Sequence, residues 1–124
     1  MMPGYLADTH VILWSWHRRE ELPAKYAEIL ASNSLIYASL VSIWEISIKV
    51  GIGKLRTVDN VTENLRQTGF VLLPIESKHA EAVRDLPHHH RDPFDRMLIA
   101  QAMSENLQIL TVDRNFSLYD ITVA

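Results

Sequence analysis

Four short apolar runs alternate with longer stretches of helical periodicity, and this alternation restricts the fold more than any other feature. The runs are Tyr5–Asp8, Ser34–Ala38, Phe70–Ile75 and Gln108–Val112, with Ile121–Val123 as a candidate fifth. A helix follows directly from Asp8 through His10 to Trp16. Another covers Glu21–Ala31, with Pro23 tolerated in its first turn. A third runs from about Leu40 to Val50, stopped by Gly51 and Gly53, and a fourth from Val61 to Gln67, ending at Gly69. Ser77–Asp85 is helical with Glu81 and Arg84 on its polar side, and Leu86–Arg91 is a polar, His-rich loop. Asp92-Pro93-Phe94-Asp95 then opens a helix reaching about Asn106. Apolar runs joined by helices fit parallel strands covered on both faces. The expected fold is a three-layer α/β/α sandwich around a mostly parallel sheet, in a single domain spanning residues 1–124.

In such a sheet, ligands bind beyond the carboxyl ends of the strands, in the crevice where strand order reverses. Asp8 and Asp113 close the first and fourth runs, Asp92 and Asp95 open a helix, and Glu45 lies near the start of another. Each acid also has a purely structural explanation. Asp92 before Pro93 suits a helix N-cap, with Asp95 completing a capping-box-like pair. Asp8 and Asp113 could cap the turns that follow them. Glu45 shares a narrow polar stripe with Ser42 and Lys49, which a solvated Glu–Lys pair explains cheaply. Asp95 is harder to account for, because it heads the stripe Leu98, Ile99, Ala102 that should meet the core.

The set says more than its members. Four carboxylates meeting at separations near ~5 Å would repel by about 3 kcal/mol per pair at an effective dielectric of ~20. A helix dipole returns only about 0.3–1 kcal/mol per acid. Protons or divalent cations would have to neutralise such a cluster, and all-oxygen ligands favour Mg²⁺ or Mn²⁺.

Charge does not decide the partner. The chain carries 12 basic and 15 acidic residues, a net −3. With the five named acids masked by metal, the remaining ten acids face those 12 basic groups. The absence of cysteine excludes disulfides and thiolate metal sites, and favours an intracellular setting. The start, Met1 to Asp8, lacks a basic region followed by an apolar one, so no signal peptide is expected, and Leu35–Ile52 carries Glu45 and Lys49 and is too polar to span a bilayer. His88-His89-His90 lacks the helical spacing of a zinc site and reads as a solvated loop, while His10 could line the pocket or simply begin a helix. Trp14, Trp16 and Trp44 lie on very apolar helices, where core packing is the default and a protein-binding surface the alternative.

Asp8-Thr9, Glu45, Asp92-Pro93-Phe94-Asp95-Arg96-Met97-Leu98-Ile99-Ala100-Gln101-Ala102 and Thr111-Val112-Asp113-Arg114-Asn115-Phe116, in that order, resemble the PIN domain. More narrowly, the sequence resembles the VapC toxins of toxin–antitoxin pairs, over nearly its whole length. The resemblance implies an acidic pocket for Mg²⁺ or Mn²⁺ and endoribonuclease activity on tRNA or ribosomal RNA. It further implies a cognate antitoxin, a homodimer, and cytoplasmic action without a membrane. By position it makes Asp8, Glu45, Asp95 and Asp113 the catalytic quartet, with Asp8, Asp95, Asp113 and Asp92 toward the metal. Thr9 and Thr111 fall where the family places pocket hydroxyls, and Lys49 and Arg96 are candidates for RNA phosphate. The alternatives are a PIN-like binding module that does not cut and a small-molecule phosphohydrolase. Asp8-Thr9-His10 lacks the second aspartate that haloacid-type phosphatases place two residues on.

Overall fold

The computed structural model describes residues 4–124. Met1–Pro3, on which part of the export-signal reading rests, lie outside the described residues. Each apolar run yields a strand shorter than the run itself: β1 Tyr5–Ala7, β2 Ile36–Ser39, β3 Val71–Leu73 and β4 Gln108–Leu110. Every pairing between them is parallel, in the order β3-β2-β1-β4. The chain steps from β1 to β2 and β3 on one side, then returns to the other side of β1 as β4. Strand order therefore reverses between β1 and β4. The candidate strand Ile121–Val123 is only a bridge: it meets β4 at Ile109 alone, through Ile109 N–H to Thr122 O and Ala124 N–H to Ile109 O, both 2.9 Å.

The helices are α1 Thr9–His17, α2 Ala24–Ala31, α3 Leu40–Gly51, α4 Val61–Gln67, α5 Ser77–Ala82 and α6 Pro93–Glu105. Two expected boundaries move. Pro23 stands before α2 in an extended conformation, and the residues ahead of it, Arg19–Glu21, form a separate 3-10 turn. Val83–Asp85 is likewise a 3-10 turn following α5. Gly51 still belongs to α3, and it is Gly53, at φ 76°, that closes the helix with its N–H on Val50 O.

Successive strand residues point to opposite faces, so the pleat builds two cores. Leu6, Leu73 and Ile109 join Val41 of α3, Leu98, Ile99 and Ala102 of α6, and Phe116. Ala7, Ile36, Ala38 and Leu110 join Val11 and Ile12 of α1, Tyr26 of α2 and Leu65 of α4. The result is the α/β/α sandwich, with α3 standing at the carboxyl end of the sheet. Because α3 turns Val41, Ser42, Glu45 and Ile46 inward, its apolar excess faces out. Leu40, Trp44, Ile48 and Ile52 form an exposed ridge at four-residue spacing, with Trp44 57% exposed. Core packing is thus corrected for Trp44, while Trp14 and Trp16 lie half-buried against the second core. Among the described residues, no helix is long and apolar enough to cross a membrane.

Candidate active site

Strand order reverses between β1 and β4, and there β1 gives way to α1 at Asp8. Asp8 occupies the N-cap position of α1, yet its side chain makes no cap hydrogen bond. Its carboxylate turns inward, is 3% exposed, and accepts a 2.9 Å bond from Thr111 Oγ1. Tyr26 of α2 holds the Thr111 backbone, donating its O–H to Thr111 O at 2.9 Å. Thr9 is buried too, but its hydroxyl pairs with Ser42 Oγ at 2.8 Å and ties α1 to α3. Of the two pocket hydroxyls expected, only Thr111 contacts an acid.

Glu45 lies one turn inside α3 and, at 6% exposed, is not the solvated residue its stripe suggested. Lys49 Nζ reaches its Oε2 at 2.9 Å, while the buried Oε1 has no partner. Asp92 and Asp113 have structural duties. Asp92 accepts from the N–H groups of Phe94 and Asp95, capping α6, and Asp113 accepts from Asn115 N–H, capping the 3-10 turn Arg114–Leu118. Asp95 does not return the bond that would complete a capping box; its carboxylate instead lies 3.4 Å from His90 Nε2.

Burial and like charge dominate the electrostatics. Desolvation, followed by the charges of Asp8, Asp92, Asp113 and Glu45, pushes the Asp95 carboxyl up to about 8. Burial also raises Asp8 above the ordinary carboxylate range, with the Thr111 hydrogen bond opposing. A carboxyl raised this far beside an unpartnered buried carboxylate oxygen is an arrangement that a nearby positive charge would relieve. Hard oxygen donors from Asp8, Glu45 and Asp95 fit Mg²⁺ or Mn²⁺. The arrangement is open: among the described residues, only Glu76, His79 and Glu105 bring three ligand atoms within 4.8 Å of one another. That tighter triad is already satisfied. Lys78 Nζ sits 2.8 Å from Glu105, His79 Nε2 lies 2.8 Å from the same carboxylate, and His79 Nδ1 accepts from Glu76 N–H.

Two expectations change on the far side of the pocket. Arg96 is corrected as a phosphate ligand. It is 7% exposed, and its guanidinium donates to the carbonyls of Pro87, Val83 and Leu86 and to Tyr119 Oη. A buried fork with four of its five N–H groups spent inside the protein is turned away from RNA. His90, read as part of a solvated loop, is folded back beside Asp95 with a side chain 12% exposed. Nothing local in His88-His89-His90 distinguishes it. Its partner, Tyr119, lies 29 positions along the chain.

The sequence matches the PIN domain over residues 5–121. No curated protein sequence matches it significantly. Among solved structures, the fold is similar to VapBC2 from Rickettsia felis bound to a DNA fragment from its promoter, at TM-score 0.75 and 16% identity over 98% of this chain and 97% of that one. It is also similar to FitAcB from Neisseria gonorrhoeae (TM-score 0.68, 22% identity, 96% and 95% covered). A toxin–antitoxin complex from Klebsiella pneumoniae is similar as well (TM-score 0.63, 20% identity, 91% and 90% covered). With its acids gathered near the β1–β4 reversal and a match over nearly its whole length, the chain belongs to the PIN domain family.

Proposed function

We propose that this PIN domain is a Mg²⁺- or Mn²⁺-dependent endoribonuclease and the toxin member of a toxin–antitoxin pair, acting on tRNA or ribosomal RNA in the cytoplasm. The observation that carries this reading is the unpartnered Glu45 Oε1, buried in a pocket where Asp8 and Asp95 are both held above their ordinary pKa range. Asp8, Glu45 and Asp95 would hold the ion, with Asp92 and Asp113 adding negative charge nearby. Bound there, a divalent cation would supply charge neutralisation for hydrolysis of a phosphodiester and would make a water easier to deprotonate. Thr111 fixes the Asp8 carboxylate, so the pocket is oriented before substrate arrives. Lys49 holds one Glu45 oxygen and leaves the other free.

Charge placement favours RNA over a small ester. A cavity of about 360 Å³ has among its lining residues Arg18, Lys54, Arg56 and Lys49, the partner of Glu45, and no acid. Four of the 12 basic residues of a net-acidic chain therefore share one groove. Arg18→Ala, Lys54→Ala and Arg56→Ala should each weaken binding of a single-stranded oligonucleotide to a non-cleaving variant. Each should also flatten the dependence of log Kd on log salt by about 0.7. Unchanged slopes in all three would remove the groove from the RNA path.

A protein partner fits the exposed α3 ridge of Leu40, Trp44, Ile48 and Ile52. The reading assigns this chain a cognate antitoxin and a homodimer. The test is cleavage of structured RNA by purified protein, alongside a chromogenic phosphate ester and Mn²⁺ calorimetry. Internal cuts that need Mg²⁺ and stop on chelation are expected, with the ester untouched. Ester hydrolysis without RNA cleavage would indicate a phosphohydrolase, and neither cleavage nor Mn²⁺ uptake would leave a binding module.

A further inference from the structure

Tyr119 Oη has three neighbours that fix its own hydrogen. Arg96 donates to it at 3.2 Å and the His90 backbone N–H at 3.3 Å. A phenolic oxygen has two acceptor sites, and those two N–H groups take them. The remaining and shortest contact, 2.8 Å to His90 Nδ1, is then the tyrosine O–H donating to the ring. With its Nδ1 lone pair engaged, the neutral His90 ring carries its hydrogen on Nε2. That Nε2 is buried, has no hydrogen-bond partner, and lies 3.4 Å from Asp95 Oδ2. The separation is long for a formed bond, and a small approach closes it. Ring packing holds the imidazole in place: its centroid is 5.4 Å from that of Tyr119 and 6.3 Å from that of Phe116.

We infer that His90 is a positioning residue: Tyr119 locks its tautomer so that Nε2–H is presented to the Asp95 carboxylate and sets that group's orientation toward a bound cation. The inference rests on the metal reading of the pocket only in its last clause. An outer partner of a ligating carboxylate is commonly worth about 10–100-fold in metal affinity. Arg96 completes the device by holding both Tyr119 and the carbonyls of the loop that carries His90.

Two substitutions separate positioning from mere structure. A glutamine amide places a donor near the imidazole Nε2 position, whereas asparagine reproduces the Nδ1 side and keeps an acceptor for Tyr119. His90→Gln should retain Mn²⁺ affinity close to that of the unmodified protein, and His90→Asn should lose about 10–100-fold by calorimetry with the metal alone. If His90 serves only to bond Tyr119, the order reverses, and that result overturns the proposal, as would equal affinities. Two NMR readouts need no metal. The ring-nitrogen spectrum of the unmodified protein should show hydrogen on Nε2, and the Asp95 carboxyl carbon resonance should move in His90→Asn but little in His90→Gln. Hydrogen on Nδ1, or an Asp95 resonance indifferent to both variants, refutes the proposal even where Mn²⁺ binds. Absence of Mn²⁺ uptake by the unmodified protein would defeat the metal reading instead, leaving these spectra to decide the role of His90.

Discussion

Replacing Asp95 with asparagine should cut metal-dependent RNA cleavage by ~10³-fold or more while making the metal-free protein more stable. Both effects come from one carboxylate kept in a place it would leave if it could. Unfolded, Asp95 ionises near pH 4. Folded, it holds its proton up to about 8, chiefly through burial and then the charges of Asp8, Asp92, Asp113 and Glu45. Below about pH 4 both states are protonated, and the folded protein has its full stability from this group. As pH rises toward 8 the unfolded chain gives up a proton that the folded chain keeps, so stability falls by up to ~1.4 kcal/mol per pH unit. Above that range the loss is complete and levels off. Asparagine cannot ionise, so melting curves in chelator should show a shallower decline with pH and a higher melting temperature near pH 8. Saturating Mg²⁺ should flatten the slope for the unmodified protein and leave the variant unmoved. Undiminished cleavage by folded Asp95→Asn, or identical pH slopes, would defeat the assignment.

Replacing Arg96 with methionine should lower stability by about 3 kcal/mol or more, on the order of 10 °C in melting temperature. Methionine keeps the apolar stem but withdraws donors from the carbonyls of Val83, Leu86 and Pro87 and from Tyr119 Oη. Each buried acceptor left without a partner costs about 1–3 kcal/mol, with some recovered by water entering the loop. Lysine should fail as well, because one ammonium cannot span the arc a guanidinium fork covers. The salt dependence of RNA binding should stay as it was. A variant with an unchanged melting temperature and a flattened salt slope would restore Arg96 to the phosphate path.

These two residues, one apart in sequence, mark how far local pattern carries. The helix opened by Asp92-Pro93 was legible because its start signal is local: a capping carboxylate, then a proline whose missing N–H costs nothing there. Val61–Gln67 was legible to the residue for a similar reason, with Gly69 at φ 93° just beyond it. Strand ends were less so, since an apolar run says what is buried and not where ladder pairing stops. Phe70 is buried and lies outside β3, and Val112 is exposed and lies outside β4. Pro23 misled because it is tolerated both inside a first turn and just before one.

By itself the sequence determined the order of strands and helices, and hence a parallel sheet whose carboxyl edge collects Asp8 and Asp113. Periodicity and start signals act within a few residues, so they survive without tertiary context. Only the folded chain decided what each acid does. Asp8, Asp92 and Asp113 all stand at N-cap positions, yet two bond the backbone while Asp8 turns to Thr111, 103 positions away. A cap contributes about 1 kcal/mol, little enough for the Thr111 hydrogen bond and the packing of the surrounding chain to decide where the Asp8 carboxylate points. The same physics took Glu45 out of solvent, drew Arg96 inward and set His90 against Asp95, because each depends on partners that no local pattern records.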